Sequence, residues 1–301
     1  MSLILVGGTG GLGIEIAKGL VKSEGFSAYK AIVRNAEKGK VLQDMGWTLV
    51  EVPDYFDDVA LVSALLGCKT VVSTFGGNDL VKLDIATAHA AKKAGVELFV
   101  PSRFGVDYRR WSLSNPLLAA KLQVTDTAKE IGLPTLAVAN GYFSDWVFDL
   151  LTDPANGKAR IIGDGSAKIT FTRRSDIGKV LAKALEDPDL MKDAVDGNVT
   201  LCLQGETLQY KDAVGTLEKV MGKKFEIEYI DPADALKQEQ DLLAKGLEGD
   251  IGAFWGSFVL HLLGEPARGV TGCDNSEEAK SYGITLETLA ETLEGIYGPK
   301  P

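Results

Sequence analysis

Short apolar runs alternate with longer amphipathic stretches along the first 140 residues of the chain. The apolar runs are rich in β-branched residues and show no regular polar alternation, which is typical of parallel strands that are buried on both faces. We predict strands over Leu3–Val6, Tyr29–Val33, Thr48–Val52, Thr70–Ser73, Leu98–Val100 and Thr135–Ala139.

Between these runs, apolar positions recur with helical spacing, and residues with capping preferences mark the helix ends. Gly67 and Gly95 stand where two of the helices should stop, because glycine is favoured just after a helix C-terminus. The clearest helix has Asn115 at the N-cap, Pro116 at the first helical position and Gly132 at its end. We predict helices over Leu12–Lys22, Asp57–Leu66, Leu80–Ala94 and Pro116–Ile131.

This alternation predicts an α/β fold. Right-handed crossovers between parallel strands produce a doubly wound (Rossmann) parallel sheet, whose ligands bind beyond the carboxyl ends of the strands. The alternation stops after Ala139, and the turn-rich segment 153–157 suggests a boundary. We therefore predict a Rossmann domain over residues 1–153 and a smaller, mostly helical substrate-binding domain over 154–301. A strand near 198–204 is expected to rejoin the first sheet.

A glycine-rich segment follows the first predicted strand and opens the first predicted helix. Gly7, Gly10 and Gly13 are three residues apart, and without Cβ atoms they permit a tight turn and close approach of a pyrophosphate. The helix start adds unpaired N–H groups and the positive end of its dipole. A plain turn is the alternative, but the flanking strand and helix favour a dinucleotide site. The predicted cofactor-binding residues here are Gly7, Thr9, Gly10, Gly11, Leu12 and Gly13.

The end of the second strand indicates which dinucleotide binds. An NAD site would place an acidic residue there to bind the ribose 2′-hydroxyl, whereas this chain has Arg34, followed by Lys38 and Lys40. A guanidinium binds a 2′-phosphate in bidentate fashion, and a carboxylate would repel it. A solvated basic loop is the alternative. We predict that NADPH or NADP+ is the cofactor and that Arg34 and Lys40 bind it.

Three further loops follow later strands, and the fold places them around the nicotinamide half of the crevice. Each could equally be an ordinary strand-to-helix loop. The predicted cofactor-binding residues in these loops are Thr74, Phe75, Gly76, Ser102, Arg103, Phe104, Asn140, Tyr142 and Phe143.

Lys121 lies in the apolar stripe of the helix predicted over Pro116–Ile131, with no acidic residue three or four positions away. Such a lysine either extends its ammonium group into solvent or faces a pocket. A partly buried lysine also loses its proton more readily, which suits it to proton transfer near neutral pH. The spacing alone leaves both interpretations open.

Other candidate residues are weaker. The tyrosine and lysine four residues apart that short-chain dehydrogenases use are missing, because neither Tyr108 nor Tyr142 is followed by lysine at that spacing. His261 follows the aromatic run Phe254–Phe258, which we interpret as core because such residues are usually buried.

Composition excludes several classes of function. The net charge of −10 argues against a nucleic-acid partner, because phosphate binding needs a basic face. No apolar run has membrane-spanning length and no segment resembles a signal peptide, so we expect no membrane contact and a cytoplasmic location. Cys68, Cys202 and Cys273 lack metal-ligand spacing, which predicts free thiols and no metal site. The oligomeric state stays open, a homo-oligomer included.

Together these motifs resemble the isoflavone reductase-like branch of the NmrA-like atypical short-chain dehydrogenases, which includes phenylcoumaran benzylic ether and pinoresinol–lariciresinol reductases. The resemblance covers most of the chain. It implies an NADPH-dependent reductase of small aromatic compounds, with Lys121 as the catalytic residue and Arg34 at the 2′-phosphate. The residues that carry it are 7–13, 33–35, 99–105, Lys121, 140–143, 169–172 and 176–178.

Two features depart from the family. Arg103 stands where the family usually has glutamate, and the stretch from Glu248 to Asp274 matches none of the named plant enzymes. We therefore predict hydride transfer from NADPH to an aromatic or phenolic ketone, enone or benzylic ether, with Lys121 as general acid or base. The alternatives are a non-enzymatic NADP(H) sensor of the NmrA-like type and, less favoured, an extended short-chain enzyme that modifies carbonyls or sugar nucleotides.

Overall fold

The computed structural model describes residues 2–108, 114–267 and 277–298, so Cys273 lies outside it. In the first half of the chain, strands and helices alternate close to the predicted bounds. The elements are β1 (Ser2–Val6), α1 (Gly11–Leu20), β2 (Ala28–Val33), α2 (Ala36–Asp44), β3 (Thr48–Glu51), α3 (Asp58–Leu65), β4 (Thr70–Ser73), α4 (Leu80–Lys93), β5 (Leu98–Val100), α5 (Pro116–Glu130) and β6 (Thr135–Ala139).

Capping residues mark where these helices begin and end, as the sequence predicts. The side chain of Asn115 accepts a hydrogen bond from the Leu117 N–H at 3.1 Å, which satisfies a donor at the start of α5. Gly95 and Gly132 follow α4 and α5 with φ of +77° and +67°, a conformation that other residues rarely adopt. Local chemistry therefore sets the ends of both helices.

The second half contains more strands than its apolar pattern suggested. The segment 154–301, predicted as mostly helical, also holds the strand Glu226–Ile230, whose exposed glutamates dilute its apolar signal. The elements are β7 (Tyr142–Phe143), α6 (Phe148–Leu151), β8 (Thr152–Asp153), β9 (Lys158–Ile162), β10 (Lys168–Thr172), α7 (Arg174–Ala184), α8 (Pro188–Asp196), β11 (Asn198–Cys202), β12 (Glu206–Gln209), α9 (Tyr210–Met221), β13 (Glu226–Ile230), α10 (Pro232–Leu247), α11 (Ile251–Ala267), α12 (Glu277–Ser281) and α13 (Leu289–Tyr297).

Seven parallel strands within the described residues form the central sheet, in the order β11-β6-β5-β4-β1-β2-β3. The late strand β11 pairs with β6, with Asn198 opposite Thr135. The predicted doubly wound fold class is confirmed. Strand order reverses between β1 and β4, which is where such sheets form their ligand crevice.

Two smaller sheets lie outside the central one in the described part of the chain. One has the order β12-β10-β7 and the other β13-β9-β8. The segment 153–157, predicted as a domain boundary, joins the antiparallel strands β8 and β9. It is thus the turn of a hairpin, and the division of the chain at residue 153 stays a prediction.

Hydrophobic side chains pack on both faces of the central sheet and in a separate cluster. Leu3 and Leu5 contribute to the core on one face, and Ile4 and Val6 to the core on the other, as the alternation of side chains along a strand requires. A third cluster, which includes Phe171, lies outside the central sheet and comes mainly from residues after position 140. No described helix is both long and apolar enough to cross a bilayer.

Candidate active site

A cavity of about 950 Å³ opens at the carboxyl ends of the central strands. It extends from the glycine turn after β1 to the aromatic side chains of α11. The predicted site residues that line it are Gly7, Thr9, Gly10, Gly11, Leu12, Arg34, Thr74, Phe75, Gly76, Ser102, Phe104, Lys121, Tyr142 and Phe143.

The glycine turn has the geometry that a pyrophosphate requires. Gly7 has φ of +72°, and a Cβ there would lie 2.9 Å from the Phe75 nitrogen. A Cβ on Gly13 would lie 2.6 Å from the Cα of Gly8, so this glycine permits the helix to pack on the turn. A Cβ on Gly10 would meet only the Gly7 oxygen, at 3.7 Å, which leaves open space in front of the N-terminus of α1. Gly13 itself therefore supports the turn without lining the cavity.

The end of β2 provides positive charge at one side of the cavity. Arg34 lies there, and Asn35 caps α2 by accepting a hydrogen bond from the Lys38 N–H at 3.0 Å. Lys38 also lines the cavity, whereas Lys40 is exposed, forms an ion pair with Asp44 at 2.7 Å and lies outside the lining. The geometry thus favours Lys38 over Lys40 as the second cation of the site.

An edge-to-face aromatic pair closes this side of the cavity. The rings of Tyr55 and Phe75 have centroids 5.1 Å apart, and the Tyr55 hydroxyl donates to the Ile32 oxygen at 3.0 Å. Burial raises the pKa of Tyr55 to about 12. Tyr55 is therefore a neutral wall residue at ordinary pH, and the sequence analysis did not identify it.

The middle of the cavity is built by the loops after β4 and β5. The Thr74 hydroxyl donates to the Val6 oxygen at 3.0 Å, and the Ser102 hydroxyl donates to the Phe75 oxygen at 2.7 Å. These bonds tie the two loops to each other and to β1. Thr74 and Ser102 thus hold the loops at the strand ends where the crevice opens.

A buried carboxyl group lies beneath these loops. Asp84 of α4 accepts hydrogen bonds from the Ser102 N–H, at 2.8 Å, and from the Ser73 hydroxyl. Burial raises the pKa of Asp84 to about 7, although these hydrogen bonds and the positive charge of Lys121 act in the opposite direction. Asp84 does not line the cavity, but it supports the loop that does.

Lys121 faces the cavity rather than bulk solvent. Its side chain is half-buried, and its ammonium group donates to the Tyr108 hydroxyl at 2.9 Å and to the Phe104 oxygen at 3.4 Å. The Tyr108 hydroxyl in turn donates to the Phe104 oxygen at 2.9 Å. Tyr108 is buried and lines the cavity as well. A lysine and a tyrosine that are thirteen residues apart thus form a polar pair at the cavity surface.

Two predicted cofactor-binding residues lie behind the lining. Arg103 is buried, its guanidinium lies 5.5 Å from the centre of the Tyr108 ring, and it donates to the Thr125 hydroxyl at 3.3 Å. The buried Asn140 accepts from the Gly105 N–H at 2.9 Å and donates to the Gly141 oxygen at 3.1 Å. Both residues hold the lining in place from behind. Our prediction that they bind the cofactor directly has no support in this geometry.

The far wall of the cavity is aromatic and comes from the second half of the chain. Trp255 and Phe258 line the cavity, in contrast to their interpretation as core, and Trp146 on the segment after β7 lines it as well. The Tyr142 hydroxyl donates to the Leu262 oxygen, which fixes α11 beside the cavity. The sequence identified the aromatic run of α11, but which of its residues face the cavity depends on how the helix packs.

His261 of the same helix does not line the cavity and contacts α10 instead. It is fully buried, and its Nδ1 lies 2.7 Å from a carboxylate oxygen of Glu239 on α10. The expected core position of His261 therefore agrees with the structure. Trp255 and Phe258 on the same helix were also expected in the core, but they line the cavity.

The chain is similar to known reductases over most of its length. The model of the NmrA-like family matches residues 1–252. The chain is 31% identical over 260 residues to isoflavone reductase homolog P3 of Arabidopsis thaliana, and the match covers 79% of this chain and 81% of that protein. The crystal structure of an isoflavone reductase superposes with a TM-score of 0.78 at 25% identity, covering 98% of both chains. AtPrR2 with NADP+ and (+)-pinoresinol has a TM-score of 0.80 at 24% identity, again over 98% of both chains.

Proposed function

The chain belongs to the NmrA-like family, and from this premise we propose that it is an NADPH-dependent reductase of small aromatic or phenolic compounds. The observation that carries the proposal is the position of the Lys121 ammonium group. It lies at the cavity surface and donates a hydrogen bond to the Tyr108 hydroxyl at 2.9 Å. This group lies in one cavity with a glycine turn on one side and an aromatic wall on the other. A reductase needs these three parts together.

The residues present fit NADPH. The open space before Gly10 accepts a pyrophosphate, and Arg34 and Lys38 offer two cations to a 2′-phosphate. The related isoflavone reductase homolog supports the same class of chemistry, and AtPrR2, which has the same fold, is known with NADP+ and (+)-pinoresinol. The chain is an NADP-dependent oxidoreductase.

Lys121 supplies the polar chemistry of the substrate. When bound, NADPH provides the hydride. The ammonium group of Lys121 donates a hydrogen bond, and then a proton, to the substrate oxygen that becomes negative. Tyr108 keeps the ammonium group oriented, because the hydroxyl that accepts from Lys121 is itself held by the Phe104 oxygen. The apolar wall excludes water, which strengthens the electrostatic interaction between the ammonium group and the substrate oxygen.

The wall of the cavity favours a neutral aromatic substrate with one reactive oxygen. Trp146, Trp255 and Phe258 offer ring faces and edges, and aromatic groups pack on such surfaces with offset or edge-on geometry. Lys121 and Tyr108 line the same cavity and supply polar groups to it. We infer that phenolic ketones, enones and benzylic ethers are the substrate classes to test.

An activity panel tests this proposal. We expect the purified protein to oxidise NADPH with at least one member of a panel of phenolic ketones, enones and benzylic ethers. The panel should be repeated with the Lys121→Met variant, which keeps the aliphatic stem but lacks the proton. If the parent binds NADPH yet oxidises it with no panel member, the reductase proposal fails and an NADP(H)-sensing role gains weight.

A further inference from the structure

Arg174 stands beside the glycine turn, although it comes from a distant part of the chain. It is the first residue of α7, and its Nε donates to a carboxylate oxygen of Asp145 at 3.0 Å. Its Nη2 donates to the backbone oxygen of Asp145 at 3.5 Å. One edge of the guanidinium is thus anchored to a single residue, which fixes the direction of the other edge.

The other edge of this guanidinium points at Gly11. A Cβ built on Gly11 would lie 2.5 Å from Nη1 and 3.6 Å from Cζ of Arg174. Among the described residues, Nη1 has no hydrogen-bond partner. Gly11 lines the cavity, whereas Arg174 lies directly against Gly11 without lining the cavity itself. Because Gly11 has no side chain, Nη1 can lie beside the backbone of the glycine turn.

Close helix packing holds Arg174 in this place. A Cβ on Gly19 of α1 would lie 2.3 Å from the backbone of Gly178 on α7, and a Cβ on Gly178 would lie 2.4 Å from the Glu15 oxygen. The two helices therefore touch through their backbones. Since neither helix can shift without losing this contact, the start of α7 keeps a fixed position relative to the glycine turn.

We propose that Arg174 is a binding residue for the diphosphate bridge of the dinucleotide, with Nη1 as the donor to a phosphate oxygen. This inference rests on the proposed function, which supplies a dinucleotide as the ligand of the glycine turn. Arg174 and Arg34 then have separate tasks. Arg34 recognises the 2′-phosphate, which distinguishes NADPH from NADH, whereas Arg174 recognises a group that both dinucleotides share.

The division of tasks predicts a specific pattern of binding. Replacing Arg174 should weaken the binding of NADPH and of NADH by the same factor and leave the ratio of their affinities unchanged. It should not affect adenosine 2′-monophosphate, which has the 2′-phosphate but lacks the diphosphate. A purely structural role for Arg174 would lower stability without this selective pattern.

Equilibrium titrations with NADPH, NADH and adenosine 2′-monophosphate test the assignment without depending on activity. For Arg174→Met we expect about tenfold weaker binding of both dinucleotides, as for one lost charge-assisted hydrogen bond. Arg173→Met is the matched control, because the neighbouring Arg173 pairs with Glu287 instead. This control should bind all three ligands within about twofold of the parent, since no diphosphate donor is lost.

A second variant keeps the test decisive if Arg174→Met folds poorly. Arg174→Lys can still pair with Asp145, but it lacks the second edge of the guanidinium, so both dinucleotides should again bind more weakly by the same factor. Binding of NADPH and NADH by Arg174→Lys and Arg174→Met within twofold of the parent would overturn the assignment, as would an equal loss for adenosine 2′-monophosphate. A parent that binds neither dinucleotide would overturn the proposed cofactor as well.

Discussion

The two ends of the cavity are assembled in different ways. At the cofactor end, the glycine turn and Arg34 belong to one continuous strand–helix–strand unit, and their geometry is mainly that of the backbone. At the substrate end, Lys121, Tyr108 and Trp255 come from separate segments, and side-chain packing brings them together. A site built from one continuous unit can be recognised from a short stretch of sequence. A site built from separate segments can be recognised only once the folded chain is known.

The two ends of the cavity also contribute differently to binding and to the reaction. The cofactor end provides affinity and selectivity through backbone N–H groups and guanidinium charge. The substrate end provides a proton donor in an apolar environment, where its interaction with a developing charge is strongest. Variants at the two ends should therefore change different measured quantities, and the following predictions test whether they do.

The largest effect is expected at the substrate end. Lys121→Met should lower kcat by roughly 10² to 10⁴-fold, the usual contribution of a positioned acid or base, with NADPH affinity nearly unchanged. Lys129→Met is a suitable control, because Lys129 is an exposed residue near the end of the same helix. Parent-like turnover in Lys121→Met would remove this residue from the mechanism.

The next effect concerns the backbone of the cofactor end. Gly10→Val should weaken NADPH binding by about 100-fold, as expected when one or two hydrogen bonds to a charged group are lost. The fold should survive, because a Cβ at Gly10 meets only the Gly7 oxygen at 3.7 Å. Calorimetry measures the affinity and circular dichroism the fold. Gly215→Val on α9, where the space is also open, is the control, and near-parent affinity in Gly10→Val would mean that the segment is only a turn.

A smaller effect concerns selectivity at the same end. The parent should bind NADPH at least about tenfold more tightly than NADH, and Arg34→Asp should reverse that order because it adds repulsion to the lost attraction. Arg34→Gln removes the charge alone and should leave NADH affinity unchanged. Titrations that find equal affinity of the parent for both dinucleotides would contradict the role of Arg34.

The last effect concerns stability instead of binding or turnover, and it tests the buried carboxyl group beneath the loops between the two ends. The pKa of Asp84 is about 7 in the folded state and 3.8 in an exposed reference. Between these values the folded protein retains a proton that the unfolded chain releases, so the contribution of Asp84 to stability is full at low pH and declines as pH rises towards 7. Above that value the contribution is constant.

Urea unfolding of the parent and of Asp84→Asn across this pH range measures the effect. The free energy of unfolding of the parent should fall relative to that of Asp84→Asn as pH rises, because the amide cannot ionise. A constant difference between the two proteins across the range would show that Asp84 titrates as an ordinary exposed carboxylate.

Local sequence was sufficient where local physics determines the structure. The capping of α5 by Asn115 follows from residue chemistry that acts over a few positions, and the resemblance to the NmrA-like family follows from contiguous motifs. By contrast, α2 was not predicted, because its sequence is dominated by charged residues and carries little apolar periodicity. The strand β13 was missed for a similar reason.

The residues of the candidate site fall into the same two groups, those set by local sequence and those set by packing. The glycine turn and Arg34 were identified from spacing and position, while Lys38 lines the cavity in place of Lys40 because the turn of α2 directs Lys40 towards Asp44. Tyr108 could not be paired with Lys121 from the sequence, since no fixed spacing joins a loop residue to a helix in this fold. The same holds for Arg174, whose contact with Gly11 depends on the packing of α7 against α1.

The position of β11 affects the order in which the protein can fold during synthesis. This strand pairs with β6 at the edge of the central sheet, yet the chain between them builds parts of both smaller sheets. Until Cys202 has left the ribosome, β6 presents an unpaired edge that can associate with other chains. Pairing over this distance is slow because a long loop must close first. The nascent chain therefore depends on its late residues to cover this edge of a sheet that is otherwise nearly complete.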